Sequence, residues 1–128
     1  AQDSNGPHTL QTKAYDAAGN IGASSIVTVN VNNVLDSIAP TVNITKPIDG
    51  FRLPSKGNVK ISVNAADNIG VSEIDIFFDN VLRTSCFGVT VCSYNLSVNK
   101  ITSGNHNITA KAHDTAGNIG SASKSVMK

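Results

Sequence analysis

Tryptophan is absent from this chain, methionine occurs once, and aromatic residues make up only 5% of it. Glycan platforms usually present exposed rings, so few positions are left for one. Charge is also scarce: Asp, Glu, Lys and Arg together reach 15%, with a net charge of +1 and no Lys/Arg run. That excludes the basic face by which proteins hold nucleic acid. No apolar run approaches the roughly 20 residues of a spanning helix, and no basic amphipathic helix can be drawn, so membrane insertion is excluded too. Catalytic patterns are missing as well. There is no Ser/His/Asp order, no carboxylate pair in a cleft pattern and no Gly-rich phosphate loop, and the chain reads as no enzyme. Asn, Ser, Thr, Val and Ile are plentiful. That composition suits strands and turns and gives an all-β fold class.

One stretch occurs twice. Lys13-Ala14-Tyr15-Asp16-Ala17-Ala18-Gly19-Asn20-Ile21-Gly22 returns, 98 residues later, as Lys111-Ala112-His113-Asp114-Thr115-Ala116-Gly117-Asn118-Ile119-Gly120. The spacing is too long for a solenoid and suits a small β domain. Within each copy, alternation runs into Asp-x-x-Gly-Asn and then resumes, which is a strand, a tight turn and a strand. The chain is therefore expected to hold the closing hairpin of one repeat (residues 1–33), a linker (34–40) and one complete domain (41–128). The opening Ala1-Gln2-Asp3 is compatible with signal-peptide removal or with proteolysis inside a repeat.

In the first copy, Thr9 to Tyr15 and Ile21 to Val31 are the expected strands, with Val27, Val29 and Val31 on one side. A lone hairpin is marginal in water, so its apolar face is expected to be sheltered by a neighbouring repeat or by another copy of the chain. In the complete domain, alternation predicts inward Val59, Ile61, Val63 and Ala65, then Ile74, Ile76 and Phe78 with Phe77 outward. Asp79-Asn80 turns the chain. Tyr94, Leu96 and Val98 follow inward, and then Ile108, Ala110 and Ala112. About seven strands, with turn signals every 8–12 residues or so, predict a two-sheet sandwich rather than a single closed barrel.

The landmarks Asp36-x-x-Ala39-Pro40-Thr41-Val42, Ala66-Asp67-Asn68-x-Gly70-Val71, Phe77-Phe78-Asp79-Asn80, Gly104-x-His106 and Ala112-x-Asp114-x-Ala116-Gly117-Asn118 occur in that order. In this the chain resembles the bacterial immunoglobulin-like domains found in tandem on secreted enzymes and surface adhesins. The resemblance implies an immunoglobulin-like or fibronectin-III-like sandwich and an extracellular or cell-surface setting. Asn80 stands where the family usually has Gly, which a left-handed turn tolerates. The pair Cys86 and Cys92 is not a hallmark of the family.

In an extracellular setting those two cysteines are expected to form a disulfide. Two buried thiols are the bland alternative, and zinc would need further ligands. The resemblance also places the turn after the second strand, the last hairpin turn and the linker at one end. Asp36, Asp67, Asn68, Asp114 and Asn118 would gather there. No cofactor is required by this reading. Calcium takes six to eight oxygens, and some adhesin arrays of this family carry it at domain junctions, so Ca2+ is the ion to consider. The competing reading is that each Asp only caps its own turn. His8 and His106 sit at equivalent repeat positions, where a corner hydrogen bond is expected. Asn43, Asn95 and Asn107 begin Asn-x-Ser/Thr sequons on outward strand parity.

The leading functional expectation is a non-catalytic structural spacer, stalk or adhesion repeat. A self-assembling filament subunit that packs residues 1–33 on its neighbour is an alternative. A module binding a glycan or a host surface protein, with Phe77 as a contact, is another.

Overall fold

The computed structural model describes residues 4–33 and 35–128; Ala1-Gln2-Asp3 and Val34 of the linker lie outside the described residues. The chain divides into two compact units, residues 1–35 and 36–128. Among the described residues no helix is long and apolar enough to cross a membrane.

The first unit is a ladder of four short strands: β1 (Gly6–Leu10), β2 (Lys13–Tyr15), β3 (Ile21–Ala23) and β4 (Val27–Val31). β1 pairs antiparallel with β4 and β2 with β3. Each of the two strands expected here is thus broken into two. The reason is a one-residue mismatch: Tyr15 faces Ile21 and Lys13 faces Ala23, but Leu10 already faces Val27. The extra residue is absorbed at Ser24–Ile26, where Thr12 N donates to Ser24 Oγ and Ser24 N to the Thr12 carbonyl. Leu10 and Val27 are more than half exposed in this unit.

The second unit holds β5 (Thr41–Lys46), β6 (Phe51–Arg52), β7 (Asn58–Ala66), β8 (Val71–Phe78), β9 (Val81–Phe87), β10 (Val91–Ser97), β11 (Asn105–Asp114) and β12 (Ile119–Met127). One sheet runs β10-β7-β5 and the other β6-β12-β11-β8-β9. All neighbours are antiparallel except the short β6, which lies parallel to β12. Alternation decides which residues fill the space between the sheets. Val59, Ile61, Val63 and Ala65 of β7 face Ile74, Ile76 and Phe78 of β8, with Ile44, Leu53, Cys92, Leu96, Val98, Ile108, Ala110, Ala112 and Val126 completing the core. Tyr94 has inward parity but is only half-buried on edge strand β10, whereas Cys92 is fully buried. The β8–β9 turn has Asp79 and Asn80 both left-handed (φ 51° and 63°), the conformation of a two-residue hairpin.

Candidate functional site

The end of the second unit that carries residues 36–40 is built from three turns, each organised by one aspartate. Asp114 Oδ1 accepts the amides of Ala116 and Asn118, both at 2.8 Å, and Oδ2 accepts Asn118 Nδ2 at 2.7 Å. Gly117 supplies the positive φ (95°) that closes this turn. The first copy repeats the set: Asp16 Oδ1 accepts Ala18 and Asn20 amides at 2.9 and 2.8 Å, and Oδ2 accepts Asn20 Nδ2 at 2.7 Å. The turn is therefore a property of the local sequence. Asp67 Oδ2 accepts the amides of Ile69 and Gly70, both at 2.9 Å. Asp36 Oδ1 accepts the Ile38 amide at 3.1 Å and Asn68 Nδ2 at 3.2 Å.

The three carboxylates stand close together, although both oxygens of Asp114 are already used within its own turn. Asp36, Asp67 and Asp114 each offer a carboxylate oxygen within 4.8 Å of the other two. Asp36 Oδ2 and Asp67 Oδ1 are buried and have no hydrogen-bond partner. Among the described residues no Lys or Arg pairs with the three. Capping accounts for one oxygen of Asp36 and one of Asp67 and leaves the other pointing inward. Buried carboxylate oxygens without a partner are costly, and neighbouring negative charges raise the cost. A hard cation that takes oxygen ligands satisfies both demands, so the residues fit calcium, with water completing the shell. Asn68 and Asn118 are gathered at the same end, but they act as donors. Asn118 Nδ2 also reaches the carbonyl of Asp36 at 3.2 Å and that of Ile38 at 3.5 Å, tying the leading segment to the hairpin turn. Burial pushes the Asp114 carboxyl up, but hydrogen bonds from Asn118, Gly117 and Ala116 outweigh it and hold the group below its ordinary range.

The other residues singled out in the sequence lie elsewhere. Cys86 and Cys92 are bonded to each other, with Cα atoms 5.8 Å apart. They join edge strand β9 of one sheet to edge strand β10 of the other. His106 Nε2 meets the Thr102 carbonyl at 2.9 Å and its Nδ1 meets Asp79 Oδ2 at 2.7 Å, while its ring stacks on Phe78. In the first copy His8 Nε2 meets the carbonyl of Ser4, also four residues back, at 2.6 Å. Asn43, Asn95 and Asn107 are exposed. Phe77 lies half-buried on the outer face with Lys111 Nζ 5.5 Å above its ring.

Two packed antiparallel sheets with a hairpin at the closing edge define an immunoglobulin-like sandwich. The chain belongs to the bacterial Ig domain family, whose model matches residues 40–110. It is similar to chitinase A1 of Niallia circulans, 30% identical over 124 residues, which is 93% of this chain. The chain spans only 17% of the length of that relative. Among solved structures, the fibronectin(III)-like modules of Clostridium thermocellum CbhA align with a TM-score of 0.58 at 23% identity, over 98% of this chain and 63% of theirs. The endo-beta-1,4-mannanase from Thermotoga petrophila aligns with a TM-score of 0.57 at 16% identity, over 72% of this chain and 20% of that one. These two likenesses carry the fold alone.

Proposed function

We propose that this chain is a non-catalytic, extracellular spacer module, and that calcium held by Asp36, Asp67 and Asp114 fixes its leading segment. The observation that carries the reading is the pair of buried, unpartnered oxygens on Asp36 and Asp67. One belongs to the leading segment and the other to the turn after β7. A cation between them would brace the leading segment further against the sandwich. The similar protein at 30% identity is named as a chitinase, and this chain spans only 17% of its length. That favours an accessory place beside a catalytic domain of a longer secreted protein. The repeated turn supports reading residues 1–33 as the closing hairpin of a preceding repeat.

Thermal unfolding with calcium and with chelator tests the proposal, together with calorimetric titration of Ca2+. Calcium is expected to raise Tm and to bind at one site per chain. A Tm indifferent to chelator would remove calcium from the reading and leave a plain spacer.

The exposure of Leu10 and Val27 supports a second reading, in which the first unit packs on another copy of the chain. Light scattering separates the two. Oligomers that grow with concentration would favour the filament, and a monomer would favour the spacer.

A further inference from the structure

A second group of potential ligands stands on the outer face of the larger sheet. Glu73 and Asp75 are two residues apart on β8 and so share a face. His113 on β11 lies directly across from Glu73 in the ladder. A β-bulge between His113 and Asp114 interrupts the register at that point. Bulges of this kind re-aim side chains. Ser72 Oγ, bonded to the carbonyls of His113 and Asp114, holds it in place. All three side chains are half-buried, and each offers a ligand atom within 4.8 Å of the other two.

The spacing inside this group is informative. His113 Nε2 is 3.5 Å from Asp75 Oδ2. That is an ion-pair distance when the imidazole is protonated, and it is long for a hydrogen bond, whose usual range ends near about 3.2 Å. Two ligands about 2.0–2.1 Å from one tetrahedral ion stand roughly 3.3 Å apart. The other oxygen of Asp75 accepts a short hydrogen bond from the Ser85 hydroxyl on β9, 2.5 Å. That is the outer-shell support a ligating carboxylate normally has. Lys111, directly across from Asp75 in the ladder, carries its ammonium over the Phe77 ring.

We infer that Glu73, Asp75 and His113 form a surface site for a divalent transition-metal ion such as Zn2+. One imidazole and two carboxylates supply three ligands, and water takes the open position. The site is separate from the three-aspartate cluster and takes a softer ion, since it includes nitrogen. It belongs to the complete domain alone, because the first copy has Tyr15 where the second has His113.

The experiment is calorimetric titration of the full chain with Zn2+, with histidine ring resonances followed by NMR. One ion is expected to bind, moving the His113 signals and leaving those of His8 and His106 in place. His113→Gln and Asp75→Asn are expected to abolish binding, each at an unchanged Tm in metal-free buffer. Ser85→Ala should weaken it about tenfold, as loss of outer-shell support does. Asp67→Asn, at the other cluster, should leave it intact. No binding at millimolar Zn2+, binding that survives His113→Gln, or binding lost on Asp67→Asn would each overturn the assignment.

Discussion

The carbonyl oxygen of Pro40 occupies the space where a side chain on Gly120 would stand: a Cβ built there would lie 1.7 Å from it. Glycine is needed at position 120 for this close approach, since its backbone is not left-handed. Pro40 is buried, and the contact presses the leading segment onto β12. Gly22, the same position in the first copy, has nothing within 4 Å of its virtual Cβ. Gly120→Ala should therefore push residues 38–41 off the sheet and destabilise the second unit by about 2–3 kcal/mol. Gly22→Ala should be neutral or stabilising by up to about 1 kcal/mol. Urea unfolding of the two variants would show the asymmetry, and equal effects would contradict this account of Gly120.

The Cys86–Cys92 bond closes a loop of about seven residues, for which the loop-entropy relation gives roughly 2.4 kcal/mol. It also ties together two edge strands that no backbone ladder joins. Replacing both cysteines with alanine, or adding reductant, should lower Tm by about 10 °C or more. An unchanged Tm under full reduction would show that the sheets hold together without it.

His106 and Asp79 should give stability a dependence on pH. The Asp79 carboxylate raises the His106 pKa, against burial and with help from the Thr102 carbonyl. Burial pushes Asp79 up, but the Asn107 amide and His106 bring it below its ordinary value. A raised histidine contributes fully below its unfolded value of 6.5 and loses that contribution as pH rises through the folded value. A lowered aspartate contributes above its unfolded value of 3.8 and loses it as pH falls through the folded one. The pair is thus strongest between these limits. About 1 kcal/mol should disappear on raising pH from about 6 to about 9, and His106→Gln should flatten that slope. Equal slopes in the two proteins would rule the pair out as the cause.

Alternation was enough to find the core. β7 reads Val59, Ile61, Val63 and Ala65 at every second position, and all four are buried. Features that depend on pairing were not legible in the same way. Phe51–Arg52 is too short to show alternation, so β6 emerges only from its parallel contact with β12. The break in the first hairpin needs one extra residue between strands, and no single strand's pattern records a mismatch. At the three-aspartate end, each turn can be read locally, but the direction of each amide cannot. Asn68 and Asn118 therefore emerge as donors that hold the carboxylates. The Glu73, Asp75 and His113 group depends on the β8–β11 register and its bulge, which the sequence does not state.

Asp67→Asn separates the cation reading from simple turn capping by the sign of its effect. The asparagine carbonyl can keep the Ile69 and Gly70 amides that Asp67 Oδ2 now accepts. Its amide would then take the place of the buried, unpartnered Asp67 Oδ1, beside the carboxylates of Asp36 and Asp114. One negative charge and one orphaned carboxylate oxygen are removed, so in chelator the variant should melt a few degrees above the wild type. In calcium the order should reverse. The wild type gains about 2.7 kcal/mol at a free concentration one hundred times Kd, and the variant, lacking a charged ligand, gains far less. If Asp67 served only its own turn, the substitution would be neutral or destabilising in both buffers. Melting curves of two proteins in two buffers thus decide between a capped turn and a cation-braced one.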